Sequence, residues 1–354
     1  MLTKTLSRPM IYGAFALGVL AVHSAGASAA TVNVVCPSNS IQAAIDAATL
    51  AEPLILNVAG TCAESVHVPK GMIVTINGVA SAVLKPASGQ PTALKVEGQA
   101  ELRNFSVVSN GGSDGALVQI GDLAHVLIED STLLSTVANL VVQAYSNSVV
   151  VIGNSTVSGG KESAVEISNN SLAYIFASAD RTTVIKNAGT TFGQAIGCWQ
   201  GQLTISSDAP TAKVIIGPSG RAGISARGCQ SRIGGFGSGS GVTRFTGAAD
   251  VAIETKSGDS FYIINTTIAG NAGTALRVTA GVAELDQVTI ASNGKGLEAN
   301  RDATIYFNRI EGSSVVNGPT KYSCYQGGKI FAEAGTIFNG VATNCLKIGG
   351  GVTH

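Results

Sequence analysis

Residues 252–299 read AIETKSGDSFYIINTTIAGNAGTALRVTAGVAELDQVTIASNGKGLEA. Three times a small residue is followed by an aliphatic, a variable residue and another apolar or small one. The copies are Ala252-Ile253-Glu254-Thr255, Ala275-Leu276-Arg277-Val278 and Gly296-Leu297-Glu298-Ala299. In a short strand of period two, the second and fourth residues face one side and the third faces the other. The pattern also lies upstream at Ala93-Leu94-Lys95-Val96, Ala164-Val165-Glu166-Ile167, Ala195-Ile196-Gly197-Cys198 and Gly223-Ile224-Ser225-Ala226, with looser copies starting at Ala116 and Asn139. Successive starts are 23, 23, 25, 31, 28, 29, 23 and 21 residues apart.

Between the copies, Asn or Asp precedes Ser or Thr and an aliphatic. Examples are Asn104-Phe105-Ser106-Val107, Asp130-Ser131-Thr132-Leu133, Asn154-Ser155-Thr156-Val157 and Asn265-Thr266-Thr267-Ile268. Each unit therefore carries two or three short strands separated by Gly, Asn and Ser turns. Parallel strands joined by helices are excluded, because the crossover helices are missing. A sandwich does not need the same pattern in every unit, whereas a solenoid does. The prediction is an all-β, single-stranded parallel β-helix of about ten coils, forming one domain over residues 30–354. Val, Ile and Leu would stack inward, and Ser, Thr and Asn outward.

Composition agrees. The chain has 354 residues, of which 12% are charged, where an ordinary domain has about 25%. Its 44 glycines have no three-residue period, which excludes collagen. A hydrophobic content of 45% excludes disorder. A formal net charge of zero leaves nothing to neutralise a nucleic-acid backbone.

Residues 1–29 read as a secretory signal: Lys4 and Arg8, an apolar run from Ile11 to Val22, and the cleavage site Ala27-Ser28-Ala29. The run is too short to span a bilayer, and no later segment is long and apolar enough to do so. The expected location is secreted or periplasmic. Six cysteines follow: Cys36, Cys62, Cys198, Cys229, Cys324 and Cys345. After an export signal an even count points to disulfides. Neighbours in sequence suggest Cys36–Cys62, Cys198–Cys229 and Cys324–Cys345. No close cysteine pairs or clustered histidines suggest a metal site.

One helix is predicted, over residues 40–48. Ser40 can cap it, Ile41, Ala44, Ile45 and Ala48 share a face, and Pro53 ends it. It would cover the open N-terminal end of the solenoid. The region around Cys324 and Cys345 would close the other end. This helix, the strand Leu54-Ile55-Leu56-Asn57-Val58 and the run Gly60-Thr61-Cys62-Ala63-Glu64 resemble the opening of right-handed parallel β-helix proteins of the pectin lyase-like superfamily. There a helix precedes a strand, a G-x-[YC]-x-E turn and regular coils. Polysaccharide lyases, hydrolases, esterases, epimerases and non-catalytic β-helices share this opening, so it does not select a chemistry.

Some chemistries can be removed. The superfamily's glycoside hydrolases carry paired aspartates and a G-H-G, and neither occurs here. The methylesterase elements D-F-x-F-G and R-x-W are also absent, since Trp199 sits in Cys198-Trp199-Gln200. Lyases and epimerases of acidic sugars need only a base and a cation beside the sugar carboxylate, so they stay open. No cofactor is evident, and Ca²⁺ enters only with lyase chemistry.

The outward ladder of the first pattern includes Lys95, Glu166, Gly197, Ser225, Glu254, Arg277 and Glu298. The resemblance implies that this strand belongs to the first sheet, which floors the substrate groove in similar enzymes. Glu254, Arg277 and Glu298 fall on successive coils and are the catalytic candidates. The bland alternative is a surface salt-bridge ladder worth about 0–1 kcal/mol per pair. The coils starting at Ala164, Ala195 and Gly223 are the longest, and extra length in a solenoid goes to loops, often on the binding face. Trp199, Gln200, Arg221, Arg227 and Arg232 fall there and are the binding candidates. In the alternative reading, Cys198–Cys229 ties down a Gly-rich surface loop. The run Gly234–Gly241 superficially resembles a calcium-binding nonapeptide, but Gly239 replaces its Asp. Asn104, Asn154 and Asn265 open formal glycosylation sequons, and their recurrence makes a ladder role simpler. These readings describe an exported β-helix that recognises an extracellular, acidic polysaccharide along the first sheet. The alternative is a non-catalytic structural or surface-adhesion β-helix.

Overall fold

The computed structural model describes residues 29–343 except 51, 188–191, 208, 236–239, 309–313, 317–319, 333–336 and 339–340. The proposed signal, Cys345 and the tip of the Gly234 run lie outside the described residues. The strands form three parallel sheets of 12, 13 and 12 strands. The chain visits them in turn, so every strand pairs with its counterpart one coil away. The fold is a right-handed parallel β-helix. No described helix is long and apolar enough to cross a membrane.

The repeated pattern makes the first sheet, from Val66–Val68 to Val341–Thr343. Its inward row stacks Leu94, Val118, Val142, Val165, Ile196, Ile224, Ile253, Leu276 and Leu297, all buried. Each such side chain contributes about 1.5–3 kcal/mol on leaving water. The solenoid has about twelve coils, not ten. Three rungs escape notice: at Thr320–Tyr325 and Val341–Thr343 the small first residue gives way to Lys321 and Val341, and in Ser65-Val66-His67-Val68 it is a serine. The looser copies are also out of register. Val118 pairs with Leu94 and Val142 with Val118, so these copies begin at Leu117 and Val141.

The second pattern is the turn from the second sheet to the third. Asn104, Asp130, Asn154 and Asn265 hold φ between 46° and 53° there, a left-handed conformation that short polar side chains tolerate. The extra residues of the long coils fall mainly in this same turn: between Ala177 and Thr182, Ser207 and Lys213, and Ile233 and Val242. They are therefore not on the first sheet. Gly234 opens the last of these turns with φ +117°, and a Cβ there would lie 1.6 Å from the Ile264 carbonyl oxygen. Steric need, rather than calcium, accounts for this glycine.

The hydrogen-bonded polar ladders lie inside the turns, not outside the sheets. Ser155 Oγ accepts from Ser131 N at 3.0 Å, Ser171 Oγ from Ser148 N at 3.1 Å, and Asn293 Oδ1 from Asn271 N at 3.1 Å. At these bends small polar side chains take up backbone N–H groups that would otherwise be orphaned.

Helix α1 covers Ile41–Asp46, shorter than the expected 40–48, with Ser40 as its N-cap. Ile41 and Ile45 are buried in the core. The helix closes with Ala47, and its short length leaves Ala48 only partly buried. Glu64 shows why the opening motif ends in a carboxylate. It accepts from Ile41 N at 2.8 Å, Gln42 N at 3.1 Å and Ser40 Oγ at 2.5 Å, satisfying orphan donors of the helix start. Gln42 Oε1 in turn accepts from His67 N at 2.6 Å on the edge strand of the first sheet. Glu64→Ala is expected to cost about 2 kcal/mol. Chemical denaturation checks this, and an unchanged midpoint would refute the capping role.

Candidate functional site on the first sheet

The outward row of the first sheet is continuous. It runs His67, Lys95, Gln119, Gln143, Glu166, Gly197, Ser225, Glu254, Arg277, Glu298 and Ser323. His67, Gln119, Gln143 and Ser323 are additions, Gln119 and Gln143 having been hidden by the slipped register. Neighbours stand about 4.8 Å apart.

Around Arg277 this row becomes a charge network. Arg277 Nε lies 3.1 Å from Glu298 Oε1, and Nη1 lies 3.6 Å from Glu254 Oε1 and 3.4 Å from Asp250 Oδ2. Glu254 also meets Arg221, Lys256 Nζ at 3.7 Å and the Ser225 hydroxyl at 3.3 Å. Asn300 donates to Glu298 at 2.8 Å. Burial works against the Arg277 cation, but Glu298, Asp250 and Glu254 outweigh it, so its pKa is raised. The side chains of Glu254 and Glu298 are only 10% and 9% exposed. Pairs this enclosed couple more strongly than fully exposed ones.

A second outward row lies two residues further along each strand, where the first sheet turns into the second. Ser168, Trp199 and Arg227 are in register there, as are Thr279, Asn300 and Tyr325. Lys256 falls between the two sets, after Thr255, which pairs with Ala226 and Val278. A groove of about 710 Å³ opens along this row, lined by Arg227, Glu254, Lys256, Asn300, Arg301 and Tyr325 among others. Arg227 and Arg301 are exposed and make no ion pair among the described residues. Lys256 Nζ stands 5.8 Å from the centroid of the Trp199 ring.

The binding candidates thus separate. Arg227 lines the groove, Trp199 and Gln200 lie one rung before it, and Arg221 joins the Glu254 network. Arg232 does not join them: it sits in the second sheet between Thr204 and Tyr262. The disulfide Cys198–Cys229, with Cα atoms 6.2 Å apart, is buried beneath the groove's rim rather than tying down a surface loop. Cys36–Cys62 also forms. Cys324 is disulfide-bonded, while Cys345 lies outside the described residues.

Asp259 supports this rim and was missed in the sequence. It accepts from Cys229 N and Lys256 N, each at 2.6 Å. Burial pushes its pKa up although these donors oppose the rise. Only its place before the strand Ser260–Ile264 could have marked it as a turn residue.

No protein-family model matches the chain, and no curated protein matches it in sequence. Two solved structures are similar in fold. The A-module of the mannuronan C-5 epimerase AlgE4 of Azotobacter vinelandii aligns with a TM-score of 0.43 at 11% identity, covering 86% of this chain and 91% of that one. The A-module of AlgE6 from the same organism aligns at 0.30 and 11%, covering 86% and 93%. Among the described residues, the one grouping of three potential metal ligands is Cys36, Cys62 and Glu64. It does not fit a cation, because the cysteines are bonded to each other and Glu64 caps the helix.

Proposed function

We propose that the chain is an exported protein that binds an acidic polysaccharide along the groove of the first sheet. The observation that carries this reading is the pair of guanidiniums, Arg227 and Arg301, that make no ion pair among the described residues. They stand three rungs apart, about 14 Å, on the rim of one groove. Lys256 lies between them and the aromatic rings of Trp199 and Tyr325 flank them in the same row. Spaced cations suit the repeated carboxylates or sulfates of an extended chain, guanidinium forks bind them bidentately, and aromatic faces suit the apolar faces of sugar rings. Disulfides fit an oxidising compartment, which supports export.

Recognition suits the Arg277 cluster better than proton transfer does. Glu254 and Glu298 are already engaged by cations, and Arg277 is held charged, so none is a free base. Their role in this reading is to fix the floor of the groove. The purified protein should therefore bind pectate, alginate or chondroitin sulfate and ignore neutral glucans. Affinity should fall with added salt. Arg227→Ala and Arg301→Ala should each weaken binding about tenfold, measured by calorimetry with and without Ca²⁺. Unsaturated products in the same panel would show lyase chemistry, and inverted sugars epimerase chemistry. Absence of binding to every polysaccharide would favour the structural, surface-adhesion reading, in which the closed ion-pair network only solubilises the sheet.

A further inference from the structure

The outward row of the first sheet ends at His67. Its strand, Val66–Val68, is the edge of the sheet, and helix α1 takes up its outer side. Gln42 Oε1 accepts from His67 N at 2.6 Å, and Gln42 Nε2 donates to His67 O at 3.3 Å. A chain lying along the row therefore runs out of floor here. A cavity of about 300 Å³ opens at this end, a volume suited to a small ligand. His67, Lys95 and Gln119, in register on three successive coils, form its floor. Ser65, Gln90 and Thr92 form its wall, from the turns that lead into the first sheet. The wall is fixed in place. Ser65 Oγ donates to the Thr92 carbonyl at 2.8 Å. Gly112 on the next coil backs it so closely that a Cβ there would come within 2.3 Å of Gln90 C and Pro91 N.

Charge is sorted across the strands. Lys95 Nζ lies 2.5 Å from Glu97 Oε1, and His67 Nε2 lies 3.2 Å from Glu97 Oε2. Glu97 follows its strand, on the margin of the sheet opposite the wall. Asp122 and Tyr145, whose charges also act on Lys95, follow their strands on that same margin. Among the described residues, no acid lines the cavity. The side chains of Lys95 and His67 stay 41% and 44% exposed, and an ammonium has three N–H donors, of which one carboxylate does not use all. An ammonium in the floor, amides and hydroxyls around it and no acid in the lining suit a carboxylate carried on a hydroxyl-rich ring.

We propose that this cavity is an end subsite, which holds the carboxylate of one terminal uronic acid on Lys95 while Gln90, Thr92 and Gln119 take up its hydroxyls. The subsite rests on the reading of the first sheet as an acidic-polysaccharide site. Lys95 stands five rungs from Arg227, about 24 Å, so one extended chain connects the cavity with the guanidiniums. That chain crosses the sheet obliquely, because the cavity lies where the strands begin and Arg227 where they end. A chain long enough to fill both places gains from each, whereas a short one gains from one alone, so affinity climbs with length.

His67 reports on the cavity directly. Its imidazole C–H signals in proton NMR, assigned with His67→Gln, should shift saturably on titration with galacturonate, glucuronate or mannuronate. Galactose should leave them in place, and the signals of His125, on the second sheet, should not move with any of these sugars. Lys95→Met removes the ammonium and should abolish the shift, and melting close to that of wild type checks that the variant folds. In calorimetry with alginate or pectate oligomers, affinity should rise once the oligomer reaches Arg227. Lys95→Met should then weaken the long oligomers about tenfold. His67 signals that no uronate moves, or a shift that survives in Lys95→Met, would overturn the end subsite and leave the polysaccharide reading intact. So would wild-type affinity of Lys95→Met for long oligomers that Arg227→Ala binds weakly. Failure of acidic oligomers of every length to bind would overturn both.

Discussion

Asp259→Ala is expected to destabilise the protein by about 3 kcal/mol, since two buried backbone donors lose their acceptor at once. Its carboxylate holds the amides of Cys229 and Lys256 at 2.6 Å. These contacts shape the rim that carries Arg227 and Lys256. No water can replace the acceptor easily, because Asp259 is only 3% exposed. Asp259→Asn keeps one acceptor oxygen and should cost about half as much. Denaturant titration of both variants measures the difference. Equal, small losses would mean that the turn is held by the Cys198–Cys229 bond and the sheet ladder alone. Polysaccharide binding should fall in Asp259→Ala even under conditions where the variant remains folded, because Lys256 and Arg227 lose their fixed spacing.

Arg277→Ala is expected to cost about 3 kcal/mol, the lower end for breaking a buried ion pair. Two almost buried carboxylates, Glu254 and Glu298, would lose a shared cation, and Glu298 would keep only Asn300 among the partners described. Arg277→Lys should recover only part of the loss, because one ammonium cannot span Glu298, Glu254 and Asp250 as the fork does. The double variant Arg277→Met, Glu298→Gln tests the cause. If uncompensated charge is responsible, the second substitution restores stability; if lost packing is responsible, it does not. A loss of under 1 kcal/mol for Arg277→Ala would return the ladder to the surface-decoration reading.

The contrast between these two residues explains what could be read before the structure. Arg277 was visible as a candidate because it is the third residue of a four-residue pattern, and alternation in a strand turns that position outward whatever surrounds it. The same rule placed Glu254, Glu298 and Glu166 in one row. Asp259 obeys no such rule. It acts from a turn, and turn side chains reach wherever a local bend aims them. Arg221 and Asp250 also reach the network from turns. Arg232 shows the opposite error: its neighbourhood in sequence with Arg227 suggested a shared loop, but the bend at Gly228 carries it onto the second sheet.

By itself, the sequence determined the solenoid and the facing of most of the outward row, which follow from short-range periodicity that a stack of coils copies from rung to rung. Two disulfides followed from cysteines one coil apart in sequence, and the place of the repeat on the first sheet came from the resemblance. Tertiary structure alone decided the second row, from Trp199 through Arg227 and Lys256 to Tyr325. That row depends on the register between coils of 21 to 31 residues, and a slip of one residue would turn every side chain to the other face. Partners depend on which neighbours the register delivers: Glu166 received the Gln143 amide where Glu254 received Arg221, Lys256 and Arg277.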